Sequence, residues 1–243
     1  ALIAGRPEFI EGMKRMAAGS GPASMRHNAD VVLPRAARKF GDIEERLRDL
    51  DWMGIDHQVV SPSPHLYSYW ADEALAEDIV GLTNAAMRDE VARAPDRLTG
   101  LGMAALQHPE MAARHIRDAV ESGLKGIEIS TSVGASELSD PALDVVWAAA
   151  EQVGAVIFIH PLGTSLGARL ATAYLSNSIG QPAETAIALS HMIFTGVFDR
   201  FPDLKVFAAH GGGYLPHYIG RSDHAWHVRP EAQGCLLPPS EYL

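Results

Sequence analysis

The sequence predicts an α/β fold, a parallel sheet with helices packed outside it. Three observations carry the prediction. Five short apolar runs, at 55–61, 98–106, 126–130, 155–160 and 204–210, have the length and composition of buried strands. Between them lie longer amphipathic stretches that open on helix-start residues. The connections are long enough to hold a crossover helix, which joins parallel neighbours, whereas a tight turn joins antiparallel ones.

Taken in order, residues 1–30 are rich in Gly, Ala, Met and Arg and read as an irregular N-terminal segment. A helix over 42–53 puts Ile43, Leu47 and Leu50 on one face and Glu44, Glu45, Arg48 and Asp49 on the other, so its role is packing. After the first strand, Asp72 is a fit N-cap for a helix over 72–94. The second strand leads to Pro109, suited to the first turn of a helix over 109–122, and Gly123 stands where a C-terminal glycine belongs. The third strand is followed by Asp140-Pro141, which opens a helix over 141–152 ended by Gly154. The fourth strand is followed by a helix over 183–198, and the fifth by a helix starting near Leu215. No linker or abrupt change of composition interrupts 40–225, so 31–243 reads as one domain.

Composition narrows the function classes. The chain has 243 residues, 47% hydrophobic and 21% charged, within the range of soluble globular proteins. Its net charge of −10, with no long basic run, argues against nucleic acid and anionic membranes as partners. The apolar run at 155–159 is far short of the ~20 residues that span a bilayer, and the start lacks a signal-peptide pattern. The single cysteine, Cys235, cannot form an internal disulfide, so a cytoplasmic location is expected. The first residue is Ala and not Met, so an N-terminal piece is expected to precede it.

In parallel α/β folds ligands meet the carboxyl ends of strands. There the chain delivers Ser61-Pro62-Ser63-Pro64 and the aromatics Tyr67, Tyr69 and Trp70, then Gln107 and His108, then Ser130 to Ser132. The fourth strand ends in His160-Pro161 and the fifth in His210-Gly211-Gly212-Gly213. Histidines at two strand exits suggest metal binding or proton transfer, since neutral imidazole does both near pH 7. Of the others, His65 and His108 are placed to line a pocket, His57 and His115 belong at the surface, and His191 in a buried or interfacial position. A rival reading takes Gly163-Thr-Ser165-Leu-Gly167 as a nucleophile elbow and His210 to Gly213 as an oxyanion element of a serine hydrolase. The order of the two is reversed for that fold, the strand ends too early for a turn at Ser165, and no late Asp or Glu precedes a suitable His.

A longer set of motifs resembles a known family. The run Gln181-Pro-Ala-Glu-Thr185, then Gly196-Val-Phe198, Arg200-Phe-Pro202, Leu204-Lys-Val206, His210-Gly-Gly-Gly213, Gly220-Arg221 and Asp223, is similar to the branch of the amidohydrolase superfamily that contains aminocarboxymuconate-semialdehyde decarboxylase. Ser61-Pro62, Ser68-Tyr-Trp70, Gly100-Leu-Gly102, His160-Pro161 and the closing Pro238-Pro-Ser-Glu-Tyr242 fit in the same order. The resemblance implies a (β/α)8 TIM barrel with one divalent metal ion, Zn2+ by preference and Mn2+ as the alternative. Two ligands of that ion come from a His-x-His on the first strand, one from the His ending strand five and one from an Asp ending strand eight. By position His160 is the strand-five metal ligand and His210 the catalytic proton carrier. Arg221 matches an arginine that crosses a homodimer interface to the neighbour's substrate carboxylate, and Arg35 falls near another substrate-binding arginine.

The chain departs from the pattern at Leu162-Gly163, where the family has Trp-Asp, and at Asn177, where it has an aromatic residue. Both positions border the substrate, so Asn177 counts as a substrate-binding candidate and the substrate itself is expected to differ. No His-x-His occurs anywhere in the chain, and its five strands match strands two to six. The barrel is therefore expected to be incomplete, with the missing ligands before Ala1 and after Leu243 and a native length of roughly 300 residues or more. The expected function is metal-dependent, non-oxidative decarboxylation of a small unsaturated or aromatic carboxylic acid. The alternatives are a metal-dependent hydrolase or hydratase of a lactone, amide or unsaturated acid, and a catalytically silent fragment or binding scaffold.

Overall fold

A computed structural model describes residues 2–243, the side chain of Arg38 excepted. The expected alternation is present. Helices α1 (Pro7–Ser20), α2 (Pro22–His27), α3 (Leu33–Gly41) and α4 (Ile43–Met53) precede strand β1 (Gln58–Val60). Then follow α5 (Glu73–Ala92), β2 (Leu98–Gly100), β3 (Gly102–Met103), α6 (Pro109–Glu121), β4 (Gly126–Ile129) and a short hairpin, β5 (Ser132–Val133) and β6 (Ser136–Glu137). The chain continues through α7 (Asp144–Val153), β7 (Val156–Ile159), α8 (Gln181–Phe194), α9 (Val197–Arg200), β8 (Lys205–Ala208) and α10 (Leu215–Val228).

β1 pairs in parallel with β2, and β3, β4, β7 and β8 form a parallel sheet in that order. β2 and β3 are one strand interrupted at Leu101, whose N–H turns to the Val60 carbonyl. Each strand thus lies beside its predecessor and the sheet does not close among the described residues. That is the partial barrel expected from the strand count.

The predicted caps at Asp72, Asp140 and Gly154 form: Asp72 accepts from the Leu75 N–H, Asp140 from Ala142, and Gly154 ends its helix in the left-handed region. α4 is capped in the same way, by Asp42 accepting from the Glu45 N–H and by Gly54. Two expectations need correction. Residues 1–30 are helical over 7–20 and 22–27 rather than irregular, because Pro7 and Pro22 start the turns and Met13, Lys14, Arg15, Met16 and Ala17 outweigh the glycines. The helix over 183–198 breaks at Gly196, where φ is 71°, into α8 and α9.

The core lies between the sheet and its outer helices. Ile127, Ile129, Ile157 and Ile159 point outward and are buried against Ile116 of α6, Val146 and Trp147 of α7 and Met192 of α8. Trp147 also donates its indole N–H to the Leu138 carbonyl, as a buried indole should. No helix among the described residues is long and apolar enough to cross a membrane.

Candidate active site

Strand alternation sends the neighbours of those isoleucines, Glu128 and Phe158, to the opposite, inner face. β7 and β8 run in register, Ile159 beside Ala208, so the residues that follow them emerge at one level. His160 follows β7 directly, its backbone N–H bound to the Ile129 carbonyl. His210 follows β8 after Ala209, and the two imidazole rings lie 5.3 Å apart at 50°. The structure therefore brings together the two residues that the sequence marks as metal ligand and proton carrier.

Hydrogen bonding orients both rings. His160 Nδ1 lies 2.8 Å from the Pro161 carbonyl oxygen, which can only accept. Nδ1 must carry the proton, leaving the Nε2 lone pair bare, the form in which a histidine binds a metal ion. His210 Nδ1 lies 3.1 Å from the Thr185 hydroxyl. Partial burial, and then the charge of His160, hold the His210 pKa below its ordinary value. His210 is thus neutral at pH 7 and able to accept a proton. Its backbone sits in the left-handed region at φ 60°, followed by Gly211, Gly212 and Gly213, all with positive φ. For a non-glycine residue that conformation is costly and marks functional sites.

Beneath His160 lies a group that sequence reading missed. Glu128 is buried on the inner face of β4, its pKa raised first by burial, and it is hydrogen bonded by Ser61 and by the Tyr67 hydroxyl at 2.7 Å. The Tyr67 hydroxyl also lies 3.1 Å from the His160 carbonyl oxygen. Tyr67 stacks on Tyr69, and the Tyr69 hydroxyl accepts from the Ser130 N–H, so the aromatics after β1 pack across the strand ends. The available signal for Glu128 was an acid inside an apolar strand.

Other candidates lie apart. Arg221 is exposed on α10, with no hydrogen bond or ion pair to another described residue. Arg35 is exposed on α3, which packs chiefly on α4 and the turn before it. Asn177 is exposed in a wide helical turn over Ser176–Gly180. None of the three is hydrogen bonded to the histidine pair among the described residues. His115, expected at the surface, is buried on α6 beside Glu77, while His191, expected buried or interfacial, is exposed. The elbow reading fails: β7 ends at Ile159, and Ser165 is bound through both N–H and hydroxyl to Glu184.

The fit to a metal is partial. His160 has the right tautomer for one donor, yet among the described residues no three His, Cys, Asp or Glu side chains gather closely enough to hold an ion.

Comparison with known proteins agrees with this geometry. The sequence profile of the family described as amidohydrolase matches residues 18–234. The chain is 37% identical over 205 residues to 2-amino-3-carboxymuconate-6-semialdehyde decarboxylase of Dictyostelium discoideum, covering 83% of this chain and 57% of that protein. It is 28% identical over 208 residues to gamma-resorcylate decarboxylase of Rhodococcus jostii, covering 79% and 63%. Among solved structures, 5-carboxyvanillate decarboxylase of Sphingomonas paucimobilis superposes with a TM-score of 0.75 at 30% identity, over 82% of this chain and 61% of that one. The homologous enzyme of Novosphingobium aromaticivorans, with bound manganese, gives 0.77 at 27% identity, over 94% and 68%. The chain thus spans about three fifths of the length of the curated relatives it matches. With the profile covering most of its residues, and the strand-end histidines where the motifs require them, the chain belongs to the amidohydrolase family.

Proposed function

We propose that the whole protein catalyses metal-dependent, non-oxidative decarboxylation of a small aromatic or unsaturated carboxylic acid. The observation that carries this reading is the pairing of His160 and His210 at the ends of adjacent parallel strands, their rings 5.3 Å apart. The names of the three similar proteins 2-amino-3-carboxymuconate-6-semialdehyde, gamma-resorcylate and 5-carboxyvanillate decarboxylase support it.

On this reading His160 is one donor to a divalent ion, Zn2+ by preference with Mn2+ as the alternative, and the remaining donors lie outside this chain. His210 takes a proton from water at its bare Nε2 and delivers it to the carbon that loses CO2, so the C–C bond to the leaving carboxylate is replaced by a C–H bond. Arginine suits the carboxylate-binding role through its bidentate fork, and Arg221, in a homodimer, and Arg35 are the candidates. Asn177 and Leu162-Gly163 border the substrate and set it apart from that of aminocarboxymuconate-semialdehyde decarboxylase.

CO2 release by the whole protein from 2,6-dihydroxybenzoate, 5-carboxyvanillate and 2-amino-3-carboxymuconate 6-semialdehyde tests the reading. CO2 is expected from at least one acid, lost on chelation and restored by Zn2+ or Mn2+, with His160→Ala failing to retain the ion. Turnover without CO2 would assign hydrolysis or hydration instead, and activity indifferent to chelation would overturn the metal assignment.

A further inference from the structure

We infer that the first turn of α8 is the positioning element for His210, and that Thr185 holds its imidazole in the Nδ1–H form with Nε2 bare. The inference rests on the reading of His210 as proton carrier and adds the group that keeps it ready.

Thr185 is fully buried, and its hydroxyl oxygen lies 3.2 Å from the Gln181 carbonyl, one turn back, and 3.1 Å from His210 Nδ1. A hydroxyl has a single hydrogen to donate. The Gln181 carbonyl can only accept whereas Nδ1 can do either, so both contacts are hydrogen bonds together only when the hydroxyl donates to Gln181. The Thr185 lone pairs then face His210, whose Nδ1 must be the donor.

A backbone contact works beside this bond. Gly213 has φ 67°, and a Cβ there would stand 2.0 Å from the Pro182 carbonyl oxygen and 3.1 Å from the Ala186 nitrogen. The turn after β8 is thus pressed against the same turn of α8 that carries Thr185. Its closure is completed by the Gly213 N–H to the His210 carbonyl at 3.0 Å. A residue held in the left-handed region persists only where its surroundings over-determine it, and these contacts supply that constraint.

The neighbouring residue in α8 attends to the other histidine's loop. Glu184 accepts from the Ser165 N–H at 2.6 Å and from the Thr164 hydroxyl at 3.3 Å, tying down the segment that follows His160-Pro161. The run Gln181-Pro-Ala-Glu-Thr185 and the run His210-Gly-Gly-Gly213 are therefore two halves of one clamp.

Two-dimensional 15N spectra of the histidine side chains, recorded on the metal-free protein at a pH where they are neutral, read the tautomer directly. The expected result is His210 protonated at Nδ1 in the wild type and in Thr185→Ser, and shifted toward Nε2–H, the form free imidazole prefers, in Thr185→Val. In the active protein Thr185→Val should lower kcat about 10- to 100-fold with little change in KM, and Thr185→Ser should recover most of it. A wild-type His210 in the Nε2–H form, or an Nδ1–H form that survives in Thr185→Val, would overturn the inference. Because the tautomer is read without turnover, its failure is separable from a failure of the decarboxylase reading, which CO2 release decides.

Discussion

The two faces of the same strands differ sharply. On the outer face Ile127, Ile129, Ile157 and Ile159 are fully covered by helices. On the inner face Val59 of β1 and Phe207 of β8 are 59% and 62% exposed, and between them stand Phe158, Glu128 and, beyond β7, His160. The outer face buries its apolar surface within this chain, while the inner face carries the proposed site and leaves both edges bare. Exposed edges and inner residues are what an open stretch of barrel leaves behind. The packed core and the proposed site thus lie on opposite sides of the sheet.

The largest test of the contrast is Trp147→Ala. The buried indole fills the space between α7 and the sheet, so its loss should destabilise the fold by about 3–5 kcal/mol in urea unfolding. On the inner face Phe207 is largely exposed but stacks on Phe158, so Phe207→Ser should cost about 1 kcal/mol, far less than Trp147→Ala, while reducing self-association in sedimentation. A large destabilisation there would show that the inner face is covered.

A comparably small effect is electrostatic and lies on the outer surface. The Arg114 guanidinium, and then the nearby His115, hold the Glu77 carboxyl down at about 2. A carboxyl lowered in the folded state stabilises above its unfolded pKa of 4.5, and that contribution disappears as pH falls from 4.5 toward 2. Glu77 is about half exposed, so the contribution is at most about 1 kcal/mol. Glu77→Gln should lower thermal stability near pH 7 by that amount and converge on the wild type as pH falls toward 2, so that its stability falls less steeply across that pH window.

Much of this organisation was legible in the sequence because it follows local periodicity. Alternating apolar runs and capped helices gave all five parallel strand positions, and strand-end placement picked out His160 and His210. The N-terminal helices went unread although Phe9, Ile10, Met13, Met16 and Ala17 recur at helical spacing in α1, because the glycines and small residues around them read as irregular chain. Glu128 and Thr185 were missed for another reason: their partners are 61 and 25 residues away, and only the fold reveals which face each one meets. The aromatics Tyr67 and Tyr69 stood in view, yet nothing local tells packing from a hydrogen bond to a buried carboxyl. Arg35, Arg221 and Asn177 came from the family resemblance, and the contacts of this chain neither join them to the histidine pair nor explain them.

The division of labour between the two histidines is the centre of the account, and the rate of CO2 release by His210→Asn in the whole protein tests it most directly. The predicted result is a loss of about 10²- to 10⁴-fold with metal content unchanged, the range expected when a general acid-base group is removed. A rate within a few-fold of the wild type would contradict the assignment of His210 as the proton carrier.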